Sequence, residues 1–219
     1  MDSMNLVLAS QSPRRKELLS VLGLPFIVVP ASIEEIPLPG ETPEAFVVRA
    51  AREKGMEVAS RVSQSVVLSA DTVVTIDGEI LGKPQDENEA ARMLRKLSGR
   101  DHWVYTAVTV INQVRQQTLD GLDRTRVWFH SLSDEQIRDY LRRENVSDKA
   151  GAYAIQGYAG VYIPKIEGNY FNVMGFPLPL VHELLCRPAA PRLRRSPRKN
   201  PRAAAPGLRR RYPARARDD

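Results

Sequence analysis

The stretch "LASQSPRRKELL", residues 8–19, puts two adjacent arginines into the first turn of a helix. Ser12 reads as its N-cap, Pro13 as its first residue, and Leu18, Leu19 and Leu22 as its buried face. A helix N-terminus already carries partial positive charge and favours anions, so Arg14 and Arg15 call for a negative partner there. Three lysines add to them. Lys54 shares a helix face with Val47 and Ala51, the face that packs inward. Lys83 lies in "LGKP", where Pro84 holds the preceding backbone extended. Lys149 opens "KAGAYAIQG", beside residues too small to cover it. Each lysine taken alone is a solvated surface charge. Basic residues recurring at strand ends and first helical turns read together as a pocket for a phosphate-rich anion.

The carboxylates are fewer. Asp71, in "LSADTVV", stands at the end of the most apolar strand, where a surface charge is out of place. The bland alternative is a turn aspartate satisfied by local amides, with Thr72 capping the same turn. Glu34 and Glu35 follow the second strand; if either approaches Asp71, hard oxygen donors gather that suit Mg²⁺ or Mn²⁺ rather than zinc. No GxxxxGK[ST] loop, strand-anchored GxGxxG or serine-centred nucleophile elbow occurs. His102, His130 and His182 lack ligand spacing, and one cysteine, Cys186, makes neither a disulfide nor a structural zinc site. Side-chain cations must therefore hold any phosphate.

The elements that would position these residues follow from pattern. Strands are expected at 5–10 and at "FIVVPAS" (26–32), and helices at 13–22 and from Thr42 with Pro43 to about Ser60. "VVLSA" (66–70) reads as a buried strand, and Asp77-Gly78 as the turn of a tight hairpin. Asp86 caps a helix ending at Gly99, and Ser133 with Gln136 forms a capping box that opens another to about Arg143. "HWVYTAVTVINQ" and "LDRTRVWFH" alternate as long neighbouring strands; "GAYAIQG" and "GVYIPKI" read as short strands, and Pro177 to Cys186 as a closing helix. Helices mixed with long antiparallel strands imply an α/β fold built on a mixed sheet.

Charge is uneven along the 219 residues. Of 32 basic and 26 acidic side chains, 12 and 2 lie from Arg187 onward, so the body carries 20 and 24. Residues 187–219, rich in Arg, Pro and Ala, bury too little to offset their ordering entropy and are expected to be disordered. A nucleic-acid contact by this tail is one reading of its charge; a solvated extension is the simpler one. No secretory signal or apolar span of membrane length is present, which points to a cytoplasmic protein without a membrane partner.

Six segments in order, "LASQSPRRKELL", "RAAREKG", "SADTVV", "GKPQD", "MLRKLSG" and "DKAGAYAIQG", resemble the Maf family of nucleoside triphosphate pyrophosphatases. The resemblance covers residues 6–185 and makes 1–186 one such domain. It implies an elongated mixed β-sheet with flanking helices and a central cleft, like the inosine triphosphate pyrophosphatases, in a homodimer. The implied reaction is hydrolysis of a nucleoside triphosphate to monophosphate and pyrophosphate with a divalent metal, Mg or Mn. Asp71 matches the family's proton acceptor and would hold the metal with Glu35. Arg14, Arg15, Lys54, Lys83 and Lys149 would then bind the phosphates. Arg14, Thr72 and Gln156 match positions that tune the base. A subgroup acting on 7-methylguanosine triphosphate has Trp and Glu where this chain has Arg14 and Gln156, so the chain is similar to the dTTP/UTP subgroup. Gln156 can offer both a donor and an acceptor to the edge of uracil or thymine. Family members are also linked with arrested septum formation, which leaves a nucleotide-sensing regulator of cell division as the rival reading.

Overall fold

One long strand, β3 (Ser65–Ile76), organises the molecule, whose computed structural model describes residues 5–187. The run read as "VVLSA" continues without a break through Asp71 and Thr72 into the hairpin. Asp71 is therefore interior to a buried strand and not at its end. β3 forms the hairpin with β4 (Glu79–Leu81), turning at Asp77-Gly78, where both residues adopt positive φ.

The two edges of β3 differ. On one, β5 (Asp101–Asn112) runs antiparallel along nearly the whole strand, followed by β6 (Gln117–Trp128) and β7 (Lys165–Glu167). On the other, β1 (Asn5–Leu8) pairs in parallel with Ser65–Leu68, and β4 pairs with Val74–Ile76. Between these partners, residues 69–73 have no described strand beside them. β2 (Phe26–Val28) lies beyond β1, giving the order β2-β1-β3-β5-β6-β7 with β4 beside β3. The fold is the expected α/β mixed sheet with flanking helices, and its gap lies at Asp71.

Alternation along β3 sends odd-numbered side chains to one face and even-numbered ones to the other. Helix α2 (Pro43–Ala59) covers the odd face, laying Phe46, Val47, Ala50 and Ala51 on Val73, Tyr105 and Ala107. The even face carries two apolar clusters. One packs α1 (Pro13–Val21) and α6 (Leu178–Cys186) on Leu68 and Ala70; the other packs α3 (Glu87–Leu97) and α4 (Asp134–Arg143) on Val74 and Val104. Burying each such side chain contributes about 2 kcal/mol, so both clusters hold firmly and the seam between them falls at Thr72. Short helix α5 (Tyr170–Val173) closes this seam from above.

The predicted caps are made: Thr42 accepts from Ala45 N at 3.2 Å, Asp86 from Glu89 N at 2.7 Å, and Ser133 and Gln136 bond reciprocally. The strands expected at 151–157 and 160–166 are corrected. Ala150–Ala152 and Tyr158–Tyr162 are 3₁₀ turns, and only Lys165–Glu167 is extended into the sheet. Gly151, Ala152 and Gly157 have φ of +69°, +59° and +101°, which no strand allows. The two N-terminal strands are also shorter than expected, ending at Leu8 and Val28. Apart from Arg187, the basic tail lies outside the described residues. Among those described, no helix is long and apolar enough to cross a membrane.

Candidate active site

The site is built around the gap beside β3. Lys54 projects from the buried face of α2, and its Nζ lies 2.6 Å from Asp71 Oδ1 and 2.9 Å from Glu35 Oε1. An ammonium buried there would be costly alone, but two carboxylates meet it. Asp71 is 4% exposed and Lys54 8%. Glu35 reaches in from the long segment between β2 and α2, and Lys83 Nζ stands 3.9 Å from the same Glu35 oxygen. Glu34 is exposed and forms no ion pair with a described residue.

Burial pushes the Asp71 carboxyl above its usual range, although Lys54 and Arg15 pull against it. Burial also pushes Glu35 up, but there Lys54 and then Lys83 outweigh it, and its carboxyl sits below the usual range. The two neighbouring carboxyls are thus shifted in opposite directions by burial and by the cations they face.

Arg15 lies across the seam on the even face. Its Nε donates to Gly175 O at 2.9 Å, Nη1 to Ala70 O at 2.7 Å and Nη2 to Thr72 Oγ1 at 3.1 Å. The negative partner that the sequence called for is, for this arginine, largely supplied by two carbonyl dipoles, Ala70 O of β3 and Gly175 O of the segment between α5 and α6. Three of its five N–H groups are so engaged. Thr72 Oγ1 also meets Thr106 Oγ1 at 3.0 Å, and Thr106 in turn donates to Asn172 O. Gly175 has φ of +88°, and a Cβ there would come within 3.0 Å of Thr72 Oγ1, so this close approach needs glycine.

Arg14 points elsewhere. Its Nη2 is 3.8 Å from Asp148 Oδ2, while Lys149 Nζ is 2.5 Å from Asp148 Oδ1. Gly151 N donates to Gly82 O at 3.0 Å, tying this rim to the segment that carries Lys83. Gln156 is exposed, and its side chain bonds to no described residue. The sequence reading singled out Lys149 but passed over Asp148; their adjacency in "DKAG" was the available signal. Gly175 and Thr106 carried none, because their parts depend on contacts far apart in the chain.

Among the described residues no group of three or more His, Cys, Asp or Glu is placed to hold a metal ion. Two carboxylates converging on one ammonium nevertheless fit a hard divalent cation, since Mg²⁺ is commonly held by one or two carboxylates with phosphate and water completing its shell. Chemically, the arrangement offers a buried carboxylate, a second carboxylate that could share a hard cation with it, and two lysines beside them.

Comparison with known proteins gives the family. Residues 5–187 match the family described as Maf-like protein. A protein of Clostridioides difficile named dTTP/UTP pyrophosphatase is 46% identical over 182 residues, covering 83% of this chain and 94% of the relative. One of the same name from Geotalea uraniireducens is 49% identical over 186 residues, covering 85% and 96%. Among solved structures, the Ham1 protein of Staphylococcus aureus aligns with a TM-score of 0.43 at 15% identity, covering 57% of this chain and 71% of that one. On a match that spans every described residue, the chain belongs to the Maf-like protein family.

Proposed function

We propose that this protein hydrolyses dTTP and UTP to the monophosphate and pyrophosphate, with Asp71 as proton acceptor. The observation that carries the proposal is the Lys54 ammonium held between Asp71 and Glu35, with Lys83 beside the same Glu35 oxygen. The names of relatives 46% and 49% identical supply the substrates.

In this reading Arg14, Lys83 and Lys149 receive the β- and γ-phosphates, and Arg15 adds charge from the seam. Asp71 takes the proton from water attacking the α-phosphorus, and its raised proton affinity suits that task. Lys54 fixes the carboxylate and offsets charge as the pyrophosphate leaves. Asp71 and Glu35 would hold a Mg²⁺ or Mn²⁺ ion, whose chemistry is to withdraw charge from phosphate oxygens. Gln156, with its amide unengaged, is the candidate reader of the pyrimidine edge. Arg14 and Thr72 complete the specificity set that the motifs imply. A homodimer working in the cytoplasm belongs to the same reading.

The test is pyrophosphate release with Mg²⁺ or Mn²⁺ across dTTP, UTP, CTP, GTP, inosine triphosphate and 7-methylguanosine triphosphate. Preference for dTTP and UTP is expected. Binding of these nucleotides without release would favour a sensor and overturn the catalytic assignment.

A further inference from the structure

One carboxylate at the site lies outside that mechanism. Asp148 turns one oxygen to Lys149 and the other to Arg14, at 2.5 and 3.8 Å, so a single anion engages two of the cations that a polyphosphate would use. Its position is fixed by its own turn. Ser147 N and Oγ both donate to Asn145 Oδ1, Lys149 N donates to Val146 O, and Gly151 N donates to Gly82 O. The backbone that carries the carboxylate is thus held against the rim.

We propose that Asp148 is an affinity-limiting residue of the polyphosphate pocket: its carboxylate competes with phosphate for Arg14 and Lys149 and must be displaced when phosphate binds. The inference rests on the functional reading above. Its side chain is 55% exposed, so it can swing into water with little desolvation cost, which the buried Asp71 cannot do. Partial burial pushes the Asp148 carboxyl up, yet Lys149 and Arg14 outweigh it and hold it below the usual range, so it competes in its charged form at neutral pH. Of the five cations assigned to phosphate in that reading, Lys54 and Lys83 are met by Asp71 and Glu35, and Arg14 and Lys149 by Asp148. A competitor built into the wall weakens substrate and product binding by the same factor. Weaker hold on the pyrophosphate product shortens the time before the next turnover, which is the advantage of carrying such a residue.

The experiment is calorimetric binding of inorganic triphosphate to the full chain without metal, in the wild type, Asp148→Asn and Asp148→Glu, alongside dTTP hydrolysis. Asp148→Asn keeps the shape and removes the charge. It is expected to bind about fivefold more tightly, the effect of one unit charge near 4 Å in a solvated setting. Pyrophosphate inhibition should tighten by the same factor, and KM should fall without a rise in kcat. Asp148→Glu keeps the charge and should stay within about twofold of the wild type. Unchanged or weaker binding by Asp148→Asn, in a protein whose wild type hydrolyses dTTP, would show that Asp148 merely orients Lys149 and would overturn the inference alone. A wild type that neither binds triphosphate nor hydrolyses dTTP would overturn the functional reading beneath it.

Discussion

Lys54 and Lys149 are each paired with a carboxylate, but one pair lies at the floor of the site and the other at its rim. At the floor, the side chains of Lys54 and Asp71 are 10% and 5% exposed, and each depends chiefly on its ionic partner rather than on solvent. At the rim, Lys149 is 13% exposed but Asp148 is 55%, and Arg14 is 28%. The same kind of contact therefore has different consequences. A buried pair is locked in place, because breaking it leaves an uncompensated charge. A rim pair in contact with solvent is exchangeable, weak and screened by salt, which suits groups that must trade one anion for another.

Lys54→Met removes the ammonium at the floor. Two carboxylates would lose their shared counter-charge, and we expect a stability loss of about 3 kcal/mol in urea melts together with loss of hydrolysis by about a thousandfold. A variant as stable as the wild type would mean that the floor is wetter than its geometry indicates.

Next in size is an effect from behind the rim, where buried His102 bonds through Nε2 to the Tyr153 hydroxyl at 2.7 Å and stacks on Phe129. Burial lowers its pKa to about 4, against the weaker opposing pull of Asp101. The unfolded chain takes up this proton first as pH falls, so the contribution is intact above 6.5 and is lost between 6.5 and about 4. Melts at pH 7 and pH 5 should differ by about 2 kcal/mol from this group, and His102→Gln should remove that difference.

The smallest effect belongs to the rim itself. Lys149→Met should raise KM for dTTP about tenfold, leave the melting curve in place, and make KM less sensitive to salt. A fall in kcat as large as that in Lys54→Met would erase the distinction between floor and rim.

What the sequence made legible follows the range of the interactions. Helix starts were readable because caps act over three residues, as at Ser12, Thr42, Asp86 and Ser133. The hairpin at Asp77-Gly78 and the pairing of β5 with β6 were readable for the same reason. The segment 151–166 misled because short apolar alternation looks extended, whereas positive φ at Gly151, Ala152 and Gly157 coils it into turns. In the site, the inward direction of Lys54 followed from helical period, whereas Glu35 was named over Glu34 without any local pattern to separate two adjacent glutamates. The divergence of Arg14 and Arg15 was equally hidden, because it depends on Gly175 and Ala70, which are remote in sequence.

Whether the floor performs hydrolysis while the rim holds phosphate is decided by Asp71→Asn, with pyrophosphate release from dTTP and binding of inorganic triphosphate measured on the same preparation. Triphosphate affinity should stay within about threefold of the wild type while release falls by about a thousandfold, the loss expected for a general base. Release at the wild-type rate would contradict that division of roles, since Asp71 would then be only a buried partner for Lys54.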